Sequence, residues 1–267
     1  TINRALAAKT GPINTLIAET GGQNVMIVDS SALPEQVTDD VMTSAFSSAG
    51  QRCSALRVLY LQDSIADKVI EMLKGALAER QIGDPLDLAT DVGPVINIQS
   101  RAGLEKHIER MHKEAKLIAK GRVPAGLENG SYLAPHIFEI PALSTLKDEE
   151  FGPILHVIRY APQDIEKVMA EIGETGFGLT FGIHSRIEGY WLDLFAKNAV
   201  GNTYVNRIMI GAVVGVQPFG GMGLSGTGPK AGGPHYMLRF ATEKILTINT
   251  AAIGGNTELF RLNECDG

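Results

Sequence analysis

The sequence predicts an α/β fold in which a mostly parallel sheet is covered by helices, and two observations predict it. Short apolar runs of the kind that fill strands buried on both faces alternate with stretches whose apolar residues recur at helical spacing. The second observation is scale: 267 residues, 44% of them hydrophobic and 20% charged, suffice to bury one sizeable core or two modest ones.

Residues 24–28 are the first strand-like run. Pro34 then opens a helix with Val37, Val41 and Ala45 on one face, broken at Gly50 just before Cys53. Residues 56–61 form the next strand. Asp63 or Ser64 caps the following helix, which carries Ile65, Val69, Leu73 and Ala76 at helical spacing and ends near Arg80. A helix over 104–120 places Leu104, Ile108, Met111 and Ile118 on one side, with Gly121 as its stop. Strands over 154–160, 179–183 and 202–205 follow, with helices over 163–172 and 188–198 between them. Residues 211–234 are too rich in glycine and proline for a regular element, so they form a long loop, ordered or flexible, of the kind that tends to hold sites. Residues 244–250 alternate like a terminal strand, and the polar stretch 251–267 reads as a frayed end.

A formal net charge of -6 and the lack of any Lys/Arg run exclude nucleic acid as a partner of this segment. Two cysteines, Cys53 and Cys265, do not make a disulfide scaffold, so a reducing compartment is expected. No signal peptide opens the chain, and its longest apolar tract, residues 208–216, is too short to span a bilayer. The expectation is a soluble, cytoplasmic protein, peripheral to a membrane only through other domains.

Four motifs carry chemistry. Cys53 lies in Phe46-Ser-Ser-Ala-Gly50-Gln51-Arg52-Cys53-Ser54, where a helix meets a strand; taken alone it is either a buried small hydrophobe or a nucleophile. Upstream, Glu19 leads into a Gly-Gly turn in Ala18-Glu19-Thr20-Gly21-Gly22-Gln23-Asn24, as a solvated loop carboxylate or a base. Glu149-Glu150-Phe151-Gly152-Pro153 precedes the strand at Ile154. Pro218-Phe219-Gly220-Gly221 lies in the glycine-rich loop, with Leu224-Ser225-Gly226 after it.

In this order the four motifs resemble those of the aldehyde dehydrogenase superfamily. The run Tyr204-Val-Asn-Arg207, through Gly211-Ala-Val-Val-Gly-Val-Gln-Pro-Phe-Gly220, to Gly226-Thr-Gly-Pro-Lys-Ala-Gly-Gly-Pro234 is similar to the dehydrogenase domain of the bifunctional proline utilization A family. Gln23 stands where many aldehyde dehydrogenases carry lysine. The resemblance covers residues 13–249 and implies NAD-dependent oxidation of L-glutamate γ-semialdehyde to L-glutamate. It implies Cys53 as nucleophile and Glu19 as the base that activates hydrolytic water. It assigns Glu149 to the nicotinamide ribose and Phe151 to the nicotinamide. Ser54, Gly211 and Ala212 are expected to bind the substrate carboxylate, with Phe219 against its methylenes.

The implied organisation is a remnant of the NAD-binding domain over 1–18, with residues 2–9 as its last helix, a catalytic domain over 19–235, and a strand and tail over 236–267 for oligomerisation or domain packing. The rest of the NAD-binding half is then expected outside this chain, which would be inactive alone, and so is any FAD, which belongs to a proline dehydrogenase domain. A homo-oligomeric parent enzyme is expected. Two rivals stay open: a non-catalytic dehydrogenase-like assembly domain, and a dehydrogenase for another semialdehyde.

Gly221-Met-Gly223-Leu-Ser-Gly226 fits a dinucleotide-binding pattern, yet it neither follows a clean strand nor opens a helix, so no phosphate cradle is expected there. His107 and His112 are five apart and share no helical face, so no metal site is predicted. Cys265 reads as an incidental thiol.

Overall fold

A computed structural model describes residues 2–249. In chain order the elements are α1 (Ile2–Ala8), β1 (Val25–Val28), α2 (Pro34–Phe46), β2 (Val58–Gln62), α3 (Asp63–Ala78), α4 (Ile98–Glu114), β3 (Lys116–Lys120), β4 (His136–Glu139), β5 (Ile154–Tyr160), α5 (Ile165–Glu174), β6 (Phe177–Gly178), β7 (Thr180–His184), α6 (Glu188–Lys197), β8 (Asn202–Val205) and β9 (Met222–Gly223). Seven strands form one sheet in the order β3-β4-β5-β2-β1-β7-β8, parallel throughout except for the antiparallel β3–β4 pair at one edge. β1 is central, with Val25 opposite Val58 on one side and Phe181 on the other. All four of its residues are buried, as a strand covered on both faces requires.

α2 begins with Pro34 at a position that needs no N–H, and it buries Val37, Val41 and Ala45 as its spacing predicts. α3 corrects the capping expectation. Gln62 is the N-cap and makes no side-chain cap bond, while Asp63 and Ser64 are already helical. Asp63 instead contributes its charge to the positive end of the helix dipole.

The helix expected over 104–120 divides. α4 starts earlier, where the Asn97 side chain accepts from Ser100 N–H at 2.8 Å. It stops at Ala115, which is extended, and the next five residues are the edge strand β3. The apolar residues Leu117, Ile118 and Ala119 satisfy both periods, and pairing with β4 decides in favour of the strand. β4, four residues between Pro135 and Pro141, had no sequence signal long enough to read.

The glycine-rich loop after β8 is ordered by pairing. β9 lies antiparallel to β6, and single bridges join Glu19 to Gly226 and Phe219 to Ala231. The Gly221–Gly226 turn opens no helix, as expected. Residues 244–249 of the expected terminal strand are exposed and pair with no described strand of this chain; the edge expected to receive them belongs to another subunit or domain. Thr250 and the tail, with Cys265, lie outside the described residues. Among the described residues no helix is long and apolar enough to cross a membrane.

Candidate active site

Three consecutive left-handed residues turn the chain from α2 toward Cys53: Ser48 (φ 55°), Ala49 (φ 53°) and Gly50 (φ 66°). That conformation is strained for serine and alanine, by on the order of 1–3 kcal/mol each. At Gly50 a Cβ would also lie 2.2 Å from the Gly152 carbonyl oxygen. The strain brings the cysteine turn against the Glu149-Glu150-Phe151-Gly152 turn.

Cys53 is half-buried in a turn ahead of β2. The buried side chain of Asn24 donates from Nδ2 to the carbonyls of Cys53 (2.6 Å) and Ala55 (2.9 Å) and accepts from Thr180 N–H (3.1 Å). Thr180 Oγ1 donates to the Ser54 carbonyl at 3.2 Å. The carbonyls are thus drawn into the sheet, while the amides of Cys53 and Ser54 face the sulfur. Burial and then the negative charge of Glu19 push the Cys53 thiol up, opposed by those amides, with a smaller upward push from Glu149.

Glu19 is exposed in this chain, and its carboxylate lies beside Gly220: a Cβ there would come 3.2 Å from Oε2. Partial burial raises its pKa, opposed by the Gly221 amide and by the charge of Lys230. Lys230 is anchored by donating to the Gly201 carbonyl and to Asn202 Oδ1.

Arg57, 1% exposed, joins the motifs. Its Nη1 donates to the Gly50 carbonyl (2.6 Å) and its Nη2 to the Arg52 carbonyl (3.1 Å), bracketing the cysteine turn. Nη2 (3.0 Å) and Nε (3.3 Å) also donate to Glu149 Oε1. The other carboxylate oxygen of Glu149 accepts from Gly22 N–H at 3.1 Å. Gly21 has no room for a side chain, since a Cβ would sit 1.7 Å from Glu149 Oε2. The Phe151 ring lies 5.0 Å below the Arg57 guanidinium and is 44% exposed. A fixed carboxylate with spare acceptor capacity beside an exposed aromatic face suits a ribose diol and a flat ring, so these residues fit a dinucleotide.

The structure therefore brings Cys53, Glu19, Glu149 and Phe151 into one network. Ser54 is buried next to Cys53. Gly211 (φ 74°) is exposed and Ala212 half-exposed. Their loop is tied in at both ends, by Met209 N–H on Ser44 Oγ (3.1 Å) and by Phe219 paired with Ala231.

Sequence reasoning missed Asn24, Arg57 and Tyr204. A lone cation inside the apolar run 56–61 was the available signal for Arg57, because a charge buried on a two-sided strand must be paired. Tyr204 is buried with its hydroxyl unpartnered among the described residues, near enough to Cys53 for the two charges to interact.

Comparison with known proteins places the chain in a family. Residues 1–246 match the aldehyde dehydrogenase family model. The chain is 50% identical over 244 residues to the bifunctional protein PutA of Escherichia coli, covering 90% of this chain and 18% of that protein. It superposes on a crystal structure of bifunctional proline utilization A with a TM-score of 0.90 at 61% identity, covering 95% of this chain and 26% of the other. It superposes on 1-pyrroline-5-carboxylate dehydrogenase from Thermus with bound NAD with a TM-score of 0.78 at 34% identity, covering 84% and 43%. The chain thus spans about a fifth of its bifunctional relative's length. The family's four motifs are all present, three of them joined through Arg57 and Glu149, and the match runs over nearly the whole chain: the protein belongs to the aldehyde dehydrogenase family.

Proposed function

We propose that this chain supplies the catalytic-cysteine half of an NAD-dependent dehydrogenase that oxidises L-glutamate γ-semialdehyde to L-glutamate, and that it works joined to a dinucleotide-binding half in a homo-oligomeric enzyme. The observation that carries this reading is the Arg57–Glu149 pair, which fixes the nucleophile turn and the cofactor motif to each other. The substrate class rests on the relatives, one a bifunctional PutA and one a 1-pyrroline-5-carboxylate dehydrogenase with NAD bound.

In this reading the Cys53 thiolate attacks the aldehyde carbon, and the amides of Cys53 and Ser54 face the oxyanion of the thiohemiacetal. Glu149 would hold the ribose and Phe151 the nicotinamide. When bound, NAD supplies the hydride acceptor. The thiohemiacetal becomes a thioester on Cys53. Glu19 then takes a proton from water, the resulting hydroxide attacks the thioester carbonyl, and Cys53 leaves as thiolate. A carboxyl pKa raised above its ordinary value makes Glu19 a stronger base for that step.

The substrate's α-carboxylate needs donors at the far end of the pocket, because leaving it desolvated and unpaired costs several kcal/mol. The Ser54 hydroxyl and the amides of Gly211 and Ala212 are those donors, with Phe219 against the methylenes. Ser54→Ala in the full-length enzyme should lower kcat/KM for glutamate semialdehyde about tenfold, the value of about 1.4 kcal/mol, and hardly change it for an unsubstituted aliphatic aldehyde. Equal losses for both substrates would show that Ser54 supports Cys53 and reads no carboxylate.

A further inference from the structure

α4 buries one titratable group that this chemistry does not use, His107. Its Nδ1 lies 2.8 Å from Glu150 Oε1, and its Nε2 lies 2.9 Å from Nε2 of His156 on β5. Arg110, one turn along the same helix, brings Nη2 to 3.3 Å from the same Nδ1.

The protons on this chain of contacts are fixed by its far end. His156 Nδ1 faces the Arg57 carbonyl at 3.2 Å, and a carbonyl only accepts, so that nitrogen carries hydrogen. Burial, with the neighbouring His107 next, pushes the His156 pKa down to about 3, so the ring is neutral and its Nε2 offers a lone pair. His107 Nε2 must donate to it. His107 Nδ1 is then left between two partners that ask for opposite things. With a hydrogen it donates to the Glu150 carboxylate, and without one it accepts from Arg110, which also holds Glu114 and the Thr145 carbonyl. The charged or titratable groups facing the ring are Glu150 from the turn, Arg110 from its own helix and His156 from β5, with Arg57 beyond.

Glu150 sits between the two residues assigned to the dinucleotide. Its neighbour Glu149 is drawn to Arg57, the residue before β2, while Glu150 itself is drawn to α4. The turn is thereby stretched between two anchors, one through a guanidinium that is always charged and one through an imidazole that is not.

We propose that His107 is a positioning residue for the dinucleotide: by holding Glu150 it fixes the turn that presents Glu149 and Phe151, and it does so only in its doubly protonated form. The proposal rests on the functional reading above.

The test is equilibrium binding of NAD to the full-length enzyme, followed by quenching of its intrinsic fluorescence from about pH 6 to 9. The rate at which iodoacetamide alkylates Cys53 serves as an independent report on the folded site. His107→Gln keeps a donor toward His156 and loses the one toward Glu150, whereas His107→Asn keeps an untitratable N–H toward Glu150. NAD affinity of the unsubstituted enzyme should fall as pH rises. H107Q should bind about tenfold more weakly at low pH, the scale of one charge-assisted hydrogen bond. H107N should keep the low-pH affinity throughout, and all three should alkylate at the same rate. Equal losses in H107Q and H107N, or a pH-independent affinity in the unsubstituted enzyme, would reduce His107 to packing and overturn the proposal. No NAD binding by the unsubstituted enzyme at any pH would instead overturn the functional reading, and this proposal with it.

Discussion

The chemistry proposed for this site is legible one residue at a time for the groups assigned to reaction and cofactor, and illegible for the groups that hold them. Cys53, Glu19 and Glu149 stand in short motifs beside glycines, where the chain pattern itself is unusual. Asn24 and Arg57 lie at the starts of ordinary apolar runs, and their roles come from partners far away in sequence, Thr180 and Glu149. Arg57 is the residue whose loss should be felt most. Arg57→Met leaves the Glu149 carboxylate partly buried without its cation and frees the Gly50 and Arg52 carbonyls. Breaking such a buried pair costs about 3–5 kcal/mol, so the urea midpoint should fall steeply. A near-normal midpoint would mean that Glu149 finds another partner. Lys230 acts on Glu19 by charge alone. Thioester hydrolysis needs Glu19 ionised, so its rate falls as pH drops through a carboxyl pKa that already lies above the ordinary value, and Lys230 opposes that rise. Lys230→Met should move the acidic limb of hydrolysis upward, because the opposing positive charge is gone. A limb that stays in place or moves down would remove Lys230 from the site's electrostatics.

At the scale of elements, periodicity identified the central strands and most helices because both faces of the sheet are covered, and their apolar residues satisfy one period only. It failed at the edge. The stretch 116–120 follows a helix with no glycine or proline between them, and only its pairing with β4 separates the two elements. The turn before Cys53 was read as a helix break at Gly50, but α2 already ends at Phe46, and the strain at Ser48 and Ala49 left no trace in residue type. Gly50 is where that turn is least tolerant. Gly50→Ala combines a left-handed backbone with a Cβ 2.2 Å from the Gly152 oxygen, so at least 1–3 kcal/mol of strain, roughly, is added. The thermal midpoint should drop and Cys53 should react differently with iodoacetamide. Unchanged values for both would show that the cysteine turn and the Gly152 turn move freely apart.

At the scale of the whole molecule, one mostly parallel sheet puts the proposed site residues in the segments that lead into β1 and β2 and in the loops that follow β4 and β8. The fold class and the family were readable because four motifs keep their order over the length of the chain. Glu149 and Phe151, proposed to face the cofactor, are tied by Arg57 to the turn that carries Cys53, so the proposed catalytic and cofactor motifs share one set of contacts. The claim on which everything turns is that Cys53 forms the covalent bond and Glu19 releases it. Single-turnover measurement of NADH on mixing the full-length enzyme with glutamate semialdehyde and NAD tests it most directly. Cys53→Ser should give no NADH, and Glu19→Gln should give one equivalent per site and then stall with a thioester on Cys53. Normal turnover by the Cys53→Ser enzyme, or no burst from the Glu19→Gln enzyme, would contradict the assignment.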